Sequence, residues 1–259
     1  MKISILSENC AGAFTMAEHG LSYLIQHNGR KLLFDTGQSD LFLRNAEKMK
    51  VDLSDVDKVI LSHGHFDHGN GLEYVKGNDL ICHPGCFVKR YRKGDRREIG
   101  LKYTRQELSG MFSLITTETH YSIDEKILFL GEIPRQTDFE SASTSFVFEN
   151  GEPDFVMDDS AAVFILDEGL FIVTGCGHSG IVNTAEHARK VTGIERIYGI
   201  IGGLHLKEYD RQTIETIRYL EKNKVKHVLP SHCTELPALA AFYDSFGIIH
   251  VKTGCVLDF

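Results

Sequence analysis

The chain has 259 residues, 42% of them hydrophobic and 25% charged, an ordinary composition for one large α/β domain or two small ones. The formal net charge of −8 argues against general nucleic-acid binding, because that function normally shows a basic excess. No stretch has the length of a membrane span and no signal-like apolar core opens the sequence, so we expect a cytoplasmic protein without a membrane partner. Six cysteines without a CxxC pair indicate neither a disulfide framework nor a thiolate zinc knot.

The first sixty residues predict a hairpin, a helix and a buried strand. The apolar runs 21–25 and 31–34 are separated by an Asn-Gly turn, which is typical of a β-hairpin. Residues 41–50 carry an imperfect apolar stripe at helical spacing, and the apolar run 59–61 predicts the next strand.

Two polar residues flank the predicted hairpin. His19 precedes it, and we interpret this histidine as a surface residue or as a contact of a nearby site. Asp35 ends the hairpin, where a carboxylate can accept a hydrogen bond from a ligand imidazole or close a turn through its own backbone; both roles stay open.

Three histidines and an aspartate directly follow the strand at 59–61. Residues two apart in an extended chain point to the same side, so His63 and His65 can bind one metal ion. Flanking glycines then permit a turn, after which Asp67 and His68 can face a second ion. Nitrogen and carboxylate ligands suit Zn²⁺, Mn²⁺ or Fe²⁺. The pattern predicts a metal site rather than a solvated turn, because four titratable groups together would strain a packed core.

A basic stretch extends from about 86 to 110 and is interpreted as an insertion in a single domain spanning 1–259. It holds eight cations against Asp95, Glu98 and Glu107. This local excess of positive charge can concentrate an anionic substrate near a cleft. Alternatively, the stretch is a solvated surface insertion, and the two interpretations stay open. Under the first, Arg96 and Arg97 are the candidates to meet a phosphate or carboxylate.

A further pair of candidate substrate contacts follows a strand predicted at 127–130. Glu132 and Arg135 stand at its exit, and arginine offers a planar fork for a carboxylate or phosphate. A mutual surface salt bridge is the alternative. Residues 136–160 are polar and are predicted as a loop.

The second half of the chain predicts strands alternating with helices. After a hairpin at 161–166 and 170–173, strands are expected at 196–201 and 228–229. We expect the intervening and final helices to begin at Asn183 (with Glu186 in a capping box), Asp210 and Thr234. Parallel strands of this kind align their carboxyl ends, where ligands gather, and the residues just beyond three of them are His178, His205 and His232.

The motif His63-x-His65-x-Asp67-His68 after a short strand resembles the signature of the metallo-β-lactamase superfamily. The stretches 32–37, 131–135, 174–183, 201–206 and 230–234 are similar to a sub-branch of metal-dependent hydrolase-like proteins. That branch includes a methanopterin-pathway enzyme, which joins a dihydropterin to a ribosylaminobenzene phosphate. The resemblance implies an αβ/βα sandwich of two mixed sheets flanked by helices.

The resemblance also implies a ligand set for one or two divalent ions, with zinc favoured over manganese or iron. His63 and His65 would share the first ion with a later histidine, and Asp67 and His68 would share the second with another. By the same analogy His232 is the last ligand and His178 the remaining one. The superfamily's bridging carboxylate is expected near Cys176, where this chain has no aspartate. Cys176 is therefore a thiolate ligand or a neighbour that contacts substrate, and His205 is an alternative ligand or a substrate contact.

These residues predict a metal-dependent hydrolase in which Asp67 orients an activated water and accepts its proton. The expected substrate is small, anionic and phosphorylated; the pattern leaves the oligomeric state open. Transfer of a pterin from its pyrophosphate to an aminobenzene ribose phosphate is one alternative, and a non-catalytic metal-binding protein is another. A Cys176 nucleophile with His178 as base is a third. Di-iron electron-transfer proteins of this scaffold carry glutamate at the position of His65, which disfavours a redox role.

Overall fold

The computed structural model describes residues 1–75 and 77–259. The chain packs into two compact units, which we call unit 1 (Met1–Glu118, Ser145–Asp154 and Val251–Phe259) and unit 2 (Thr119–Thr144 and Phe155–His250). Within residues 1–75 and 77–259, no helix has both the length and the apolar character needed to cross a bilayer.

Strands and helices are interspersed along the whole chain. The strands are β1 (Lys2–Ser7), β2 (Ser22–His27), β3 (Arg30–Phe34), β4 (Lys58–Ile60), β5 (Asp79–Cys82), β6 (Arg90–Arg92), β7 (Ser113–Thr116), β8 (Tyr121–Ser122), β9 (Ile127–Phe129), β10 (Phe146–Phe148), β11 (Pro153–Asp154), β12 (Ala161–Leu166), β13 (Gly169–Thr174), β14 (Ile197–Gly203), β15 (His227–Ser231) and β16 (Val256–Asp258). The α-helices are α1 (Leu41–Met49), α2 (Phe66–Gly69), α3 (Arg105–Met111), α4 (Ile181–Thr192), α5 (Arg211–Lys222) and α6 (Leu236–Phe246), with 3₁₀ turns at Asn70–Tyr74 and Pro84–Phe87.

The main sheet of unit 1 is mixed, in the order β16-β1-β2-β3-β4-β5-β7. Its first strands pair antiparallel, and β3, β4, β5 and β7 run parallel. The predicted hairpin is confirmed: Asn28 and Gly29 take φ angles of 49° and 74°, the left-handed pair that a tight two-residue turn needs. The parallel half brings the exits of β3 and β4 to the same edge.

The helix predicted at 41–50 is confirmed as α1, which packs its apolar face on this sheet. Phe42 and Ala46 are buried against a core that includes Leu6, Leu24, Leu33 and Val59. The helix ends where Lys50 adopts φ 56°, a left-handed conformation that closes the last turn. Burial of a side chain such as Phe42 contributes about 1.5–3 kcal/mol, so this contact fixes the helix to the sheet.

A small second sheet of unit 1, in the order β11-β10-β6, corrects the prediction that residues 136–160 are a loop throughout. Its strands have two or three residues, too few for a periodic pattern to show. Arg90 of the basic stretch lies buried within it, with Nε 3.2 Å from a carboxylate oxygen of buried Asp154. A buried arginine requires such a partner, so this cation is structural.

The sheet of unit 2 has the order β15-β14-β13-β12-β9-β8, and the predicted parallel arrangement is confirmed for β13, β14 and β15. Helices α4, α5 and α6 bury apolar side chains against it. The shared core includes Val163, Ile172, Ala185, Ile200, Ile217, Leu220, Val228 and Phe242. Asp210 caps α5 as predicted, since its carboxylate accepts a hydrogen bond from the Thr213 amide at 3.0 Å.

The predicted caps of α4 and α6 are wrong, because a distant carboxylate caps α4 and the Thr234 hydroxyl bonds outside α6. Helix α4 begins at Ile181, and the carboxylate of Glu140 accepts hydrogen bonds from the amides of Val182 (2.8 Å) and Asn183 (2.9 Å). Burial raises the pKa of Glu140 despite these bonds. Thr234 lies before α6, and its hydroxyl accepts from the Leu204 amide.

We predict that Glu140→Ala lowers the free energy of unfolding by about 1–3 kcal/mol, because it leaves two buried helix amides without an acceptor. Urea denaturation followed by circular dichroism measures the loss. Asp138→Ala is the matched control, since Asp138 is an exposed partner of Arg211 and its loss should cost below about 0.5 kcal/mol. Equal effects of the two substitutions would contradict the capping role.

Candidate metal centre

The four predicted ligands of the HxHxDH motif lie together and buried in unit 1. His63 and His65 follow β4 in a segment that bends at His63 and Gly64, and Asp67 and His68 lie in the short helix α2. His65 is the N-cap of α2, with φ −90° and ψ 149°, so the chain changes from extended to helical at this residue. Gly64 allows a close approach here, because a Cβ would lie 2.0 Å from the carbonyl oxygen of Cys86.

Distances inside the cluster support the predicted pairing of ligands. His63 Nε2 lies 2.9 Å from His65 Nδ1. Two nitrogens bound to one tetrahedral Zn²⁺ lie about 3.3 Å apart, given bonds of about 2.0–2.1 Å. His68 Nε2 lies 3.7 Å from Asp67 Oδ2, a spacing that suits the ligands of a second ion. The donor set therefore fits divalent metal ions.

Asp35 orients His68, one of the predicted ligands of this cluster. His68 Nδ1 donates to Asp35 Oδ2 at 2.7 Å, which leaves His68 Nε2 as the nitrogen for coordination. The Ser62 amide and hydroxyl donate to the two oxygens of the same carboxylate, each at 2.7 Å. Of the two roles left open by the sequence, the structure shows the hydrogen bond with the imidazole of His68, a predicted ligand.

His19 and Arg97 lie at the exposed side of the cluster. His19 Nε2 is 3.1 Å from Asp67 Oδ2, and the His19 side chain is 58% exposed. The guanidinium of Arg97 lies over the ring of Phe66 at 5.6 Å. Arg97 is therefore a cation close to the predicted ligands.

The neighbouring Arg96 is engaged elsewhere. Its guanidinium lies over the Tyr91 ring at 4.9 Å and donates to the carbonyl oxygens of Phe148 and Glu149. The two arginines named by the sequence thus have different surroundings, and Arg96 ties the basic stretch to β10.

In unit 2 the predicted residues gather beyond β13, β14 and β15. The rings of His178 and His205 lie 4.3 Å apart between centroids. The ligand atoms of Cys176, His205 and Cys233 all lie within 4.8 Å of one another. Sequence reasoning missed Cys233, although its place directly after His232 at a strand exit was an available signal.

Asp159 and Cys233, both in unit 2, have pKa values displaced from their ordinary ranges. Burial raises the pKa of Asp159 to about 6, although Oδ2 accepts a hydrogen bond from the Ser179 amide. Burial also raises the pKa of the Cys233 thiol, but hydrogen bonds with Cys176 and His205 outweigh burial and hold that pKa well below its usual range.

Arg135 forms hydrogen bonds with a neighbouring segment of unit 2, which the sequence did not predict. Its guanidinium donates to the carbonyl oxygens of Phe155 (2.6 Å) and Val156 (3.1 Å) and contacts the sulfur of Met157. These bonds anchor the 155–157 segment of unit 2. The substrate roles of Glu132 and Arg135 stay predictions.

The sequence profile of the metallo-beta-lactamase superfamily matches residues 16–189, and the chain belongs to this superfamily. It is 32% identical over 271 residues to 7,8-dihydropterin-6-methyl-4-(beta-D-ribofuranosyl)-aminobenzene-5'-phosphate synthase of Methanocaldococcus jannaschii, covering 95% of this chain and 92% of that protein. An uncharacterized protein of the same organism is 32% identical over 261 residues, covering 98% and 99%.

The fold prediction is confirmed by a solved structure. Tm1679, a metal-dependent hydrolase of the beta-lactamase superfamily, superimposes with a TM-score of 0.89 at 30% identity, covering 100% of this chain and 99% of that one. The chain has the metallo-β-lactamase fold, with mixed sheets flanked by helices. Members of the superfamily bind divalent metals, and the donor groupings within unit 1 and within unit 2 suit such ions.

We predict that Asp35→Asn weakens metal binding by about 10–100-fold, the usual cost of losing a carboxylate that orients a ligand histidine. Asparagine tolerates the φ of 56° at this position, so the substitution tests the charge rather than the backbone. Competition with a chromophoric chelator measures the affinity. Asp55→Asn, which removes an exposed partner of Lys31, is the control; an equal loss in both variants would contradict the role of Asp35.

Proposed function

We propose that the protein is a metal-dependent hydrolase acting on a small, phosphorylated substrate. The observation that carries this proposal is the buried cluster of unit 1, in which two imidazole nitrogens face each other at 2.9 Å beside an aspartate–histidine pair. Similarity to the metal-dependent hydrolase Tm1679 along the whole chain supports it.

The proposed ligand set has two halves. His63 and His65 would hold one ion, and Asp67 and His68 a second, as their distances within unit 1 support. On the family pattern we propose His178 as the further ligand of the first ion and His232 of the second. Zinc is the favoured metal for this donor set.

In the proposed mechanism the protein's own groups orient and deprotonate water. A bound divalent ion supplies Lewis acidity, which lowers the pKa of water and stabilises developing negative charge. Asp67 would orient the attacking water and accept its proton, and His19 beside Asp67 Oδ2 holds that carboxylate in place. Asp35 keeps the ring of His68 fixed by the bond to Nδ1.

The proposed substrate is anionic, and the position of Arg97 supports this. Its guanidinium lies over Phe66, directly beside the ligand residues, where it can meet a phosphate or carboxylate. Glu132, Arg135, Cys176 and His205 remain the other proposed substrate contacts.

A transferase is the second candidate, because the chain is 32% identical over 95% of its length to the aminobenzene-phosphate synthase. The same groups would then serve attack by an acceptor on a pterin pyrophosphate in place of water. A panel of phosphoesters, lactones and pterin pyrophosphates, each with and without the aminobenzene ribose phosphate, distinguishes the two by the identity of the product. Absence of any metal-dependent turnover would leave a metal-binding protein.

We predict that the double variant His63→Ala/His65→Ala loses one or both metal equivalents and all turnover of the panel substrates, because the first ion loses two ligands. Elemental analysis by mass spectrometry and the panel assay measure both effects. His250→Ala changes an exposed histidine and should leave them unaltered. Full metal content in the double variant is incompatible with the ligand assignment.

We also predict that Arg97→Ala raises KM for an anionic substrate about 10-fold or more, because a charge-assisted hydrogen bond is worth about 1.5–3 kcal/mol. A neutral ester of the same leaving group should keep its KM. Arg96→Ala is the matched control, since the Arg96 guanidinium binds backbone carbonyls of unit 1. If the two variants change KM alike, Arg97 has no special part in binding the anion.

A further inference from the structure

We infer that Cys176, His205 and Cys233 of unit 2 form a binding site for a thiophilic divalent metal ion such as Zn²⁺. The site shares no residue with the ligand set proposed for the hydrolase reaction. Cys176 and His205 are also proposed substrate contacts, so the inference is separate from the proposed metal ligands but not from those two contacts.

The topology of unit 2 presents these three side chains in equivalent places. Strands β13, β14 and β15 are adjacent and parallel, and they end at Thr174, Gly203 and Ser231. Each proposed ligand lies two residues beyond its strand end: Cys176, His205 and Cys233. Neighbouring parallel strands thus bring two thiols and an imidazole to one edge of the sheet, where ligands gather in such folds.

The donor geometry fits one ion. The sulfur and nitrogen atoms lie within 4.8 Å of one another. In a tetrahedral zinc site with bonds of about 2.3 Å to sulfur and about 2.0–2.1 Å to nitrogen, donor atoms lie about 3.5–3.8 Å apart. A contraction of about 1 Å, within the reach of side-chain rotation, closes the site around the ion. Two cysteines and a histidine leave the fourth position for water or another ligand, as in catalytic zinc sites of this composition.

The backbone around the three ligands is held so that their sulfur and nitrogen atoms can approach. Gly203 leaves the space that Cys233 uses, because a Cβ at Gly203 would lie 2.6 Å from the Cys233 sulfur. The Gly203 amide donates to the Gly175 carbonyl at 2.9 Å, and the Leu204 amide donates to the Thr234 hydroxyl at 3.1 Å. These bonds join the three strand exits to one another.

A metal ion accounts for more of this arrangement than a disulfide does. Strand β14 lies between the strands that carry the two cysteines, and its exit supplies His205. An ion would bind all three side chains, whereas a disulfide would join the two cysteines and leave the histidine unused.

Cobalt(II) titration of the full-length, reduced protein without oxygen tests the inference, because cobalt–thiolate bonds absorb in the near ultraviolet. We expect this band in the wild type, about half its intensity in Cys233→Ser, and none in Cys176→Ser/Cys233→Ser. Cys10→Ser changes a thiol of unit 1 with similar partial exposure and should leave the band unchanged. In His63→Ala/His65→Ala the band should persist, which separates this site from the hydrolase ligands.

X-ray absorption of the zinc-loaded wild type needs no variant and should show two sulfur neighbours at about 2.3 Å. The inference is overturned if the wild type shows no thiolate band, or if Cys233→Ser leaves the band intact while Cys176→Ser removes it. The second result would assign Cys176 to a different ion. Loss of two free thiols in air, with no metal–sulfur signal in the reduced protein, would replace the metal site with a disulfide.

Discussion

The bonds of the Asp35 carboxylate are the interaction on which the candidate centre depends. The three imidazoles of the motif lie buried together with Asp35 and Asp67, and burying such groups without partners costs several kcal/mol for each charge. Asp35 accepts from His68 and from the amide and hydroxyl of Ser62, so one carboxylate fixes both the ligand ring and the start of the motif segment. Because β3 and β4 are parallel neighbours, the exits of these two strands meet and the network can form. The parallel pairing of β3 with β4 is therefore a requirement for the hydrogen bonds that Asp35 accepts.

The same principle operates in unit 2 with different residues. There β13, β14 and β15 end side by side, and each exit carries a histidine or a cysteine. The segments beyond the strands are short and cross-bonded, which keeps their side chains in place without a long loop. A parallel sheet thus brings candidate ligands together with only a few residues beyond the end of each strand. Covering helices such as α4 and α5 bury the apolar remainder.

Local chemistry explains which features the sequence could predict. The Asn28-Gly29 turn, helix α1 and the Asp210 cap depend on neighbours within a few residues, and the structure confirms them. The HxHxDH cluster was predictable because its four polar residues fall within six positions of the sequence. Glu140 escaped prediction because its helix partners lie more than forty residues away. Strands β10 and β11 escaped it because they have only two or three residues and join β6, which comes from another segment. Composition alone also gave Arg96 and Arg97 equal weight, and only their surroundings separate them.

Backbone strain coincides with three of the polar residues that follow the strands. Asp35, His205 and His232 take φ angles of 56°, 49° and 52°, a left-handed region that is uncommon for residues other than glycine. Such a conformation costs about 1–3 kcal/mol and persists only where surrounding contacts determine it. Other residues with positive φ, such as Asn28 and Lys50, close a turn or a helix, which explains them locally. The three strained residues instead follow β3, β14 and β15 directly or within two residues, so the strain is retained where a polar side chain must be aimed away from its strand. Glycine would occupy these positions with less strain, but it would place no polar side chain at the strand exit.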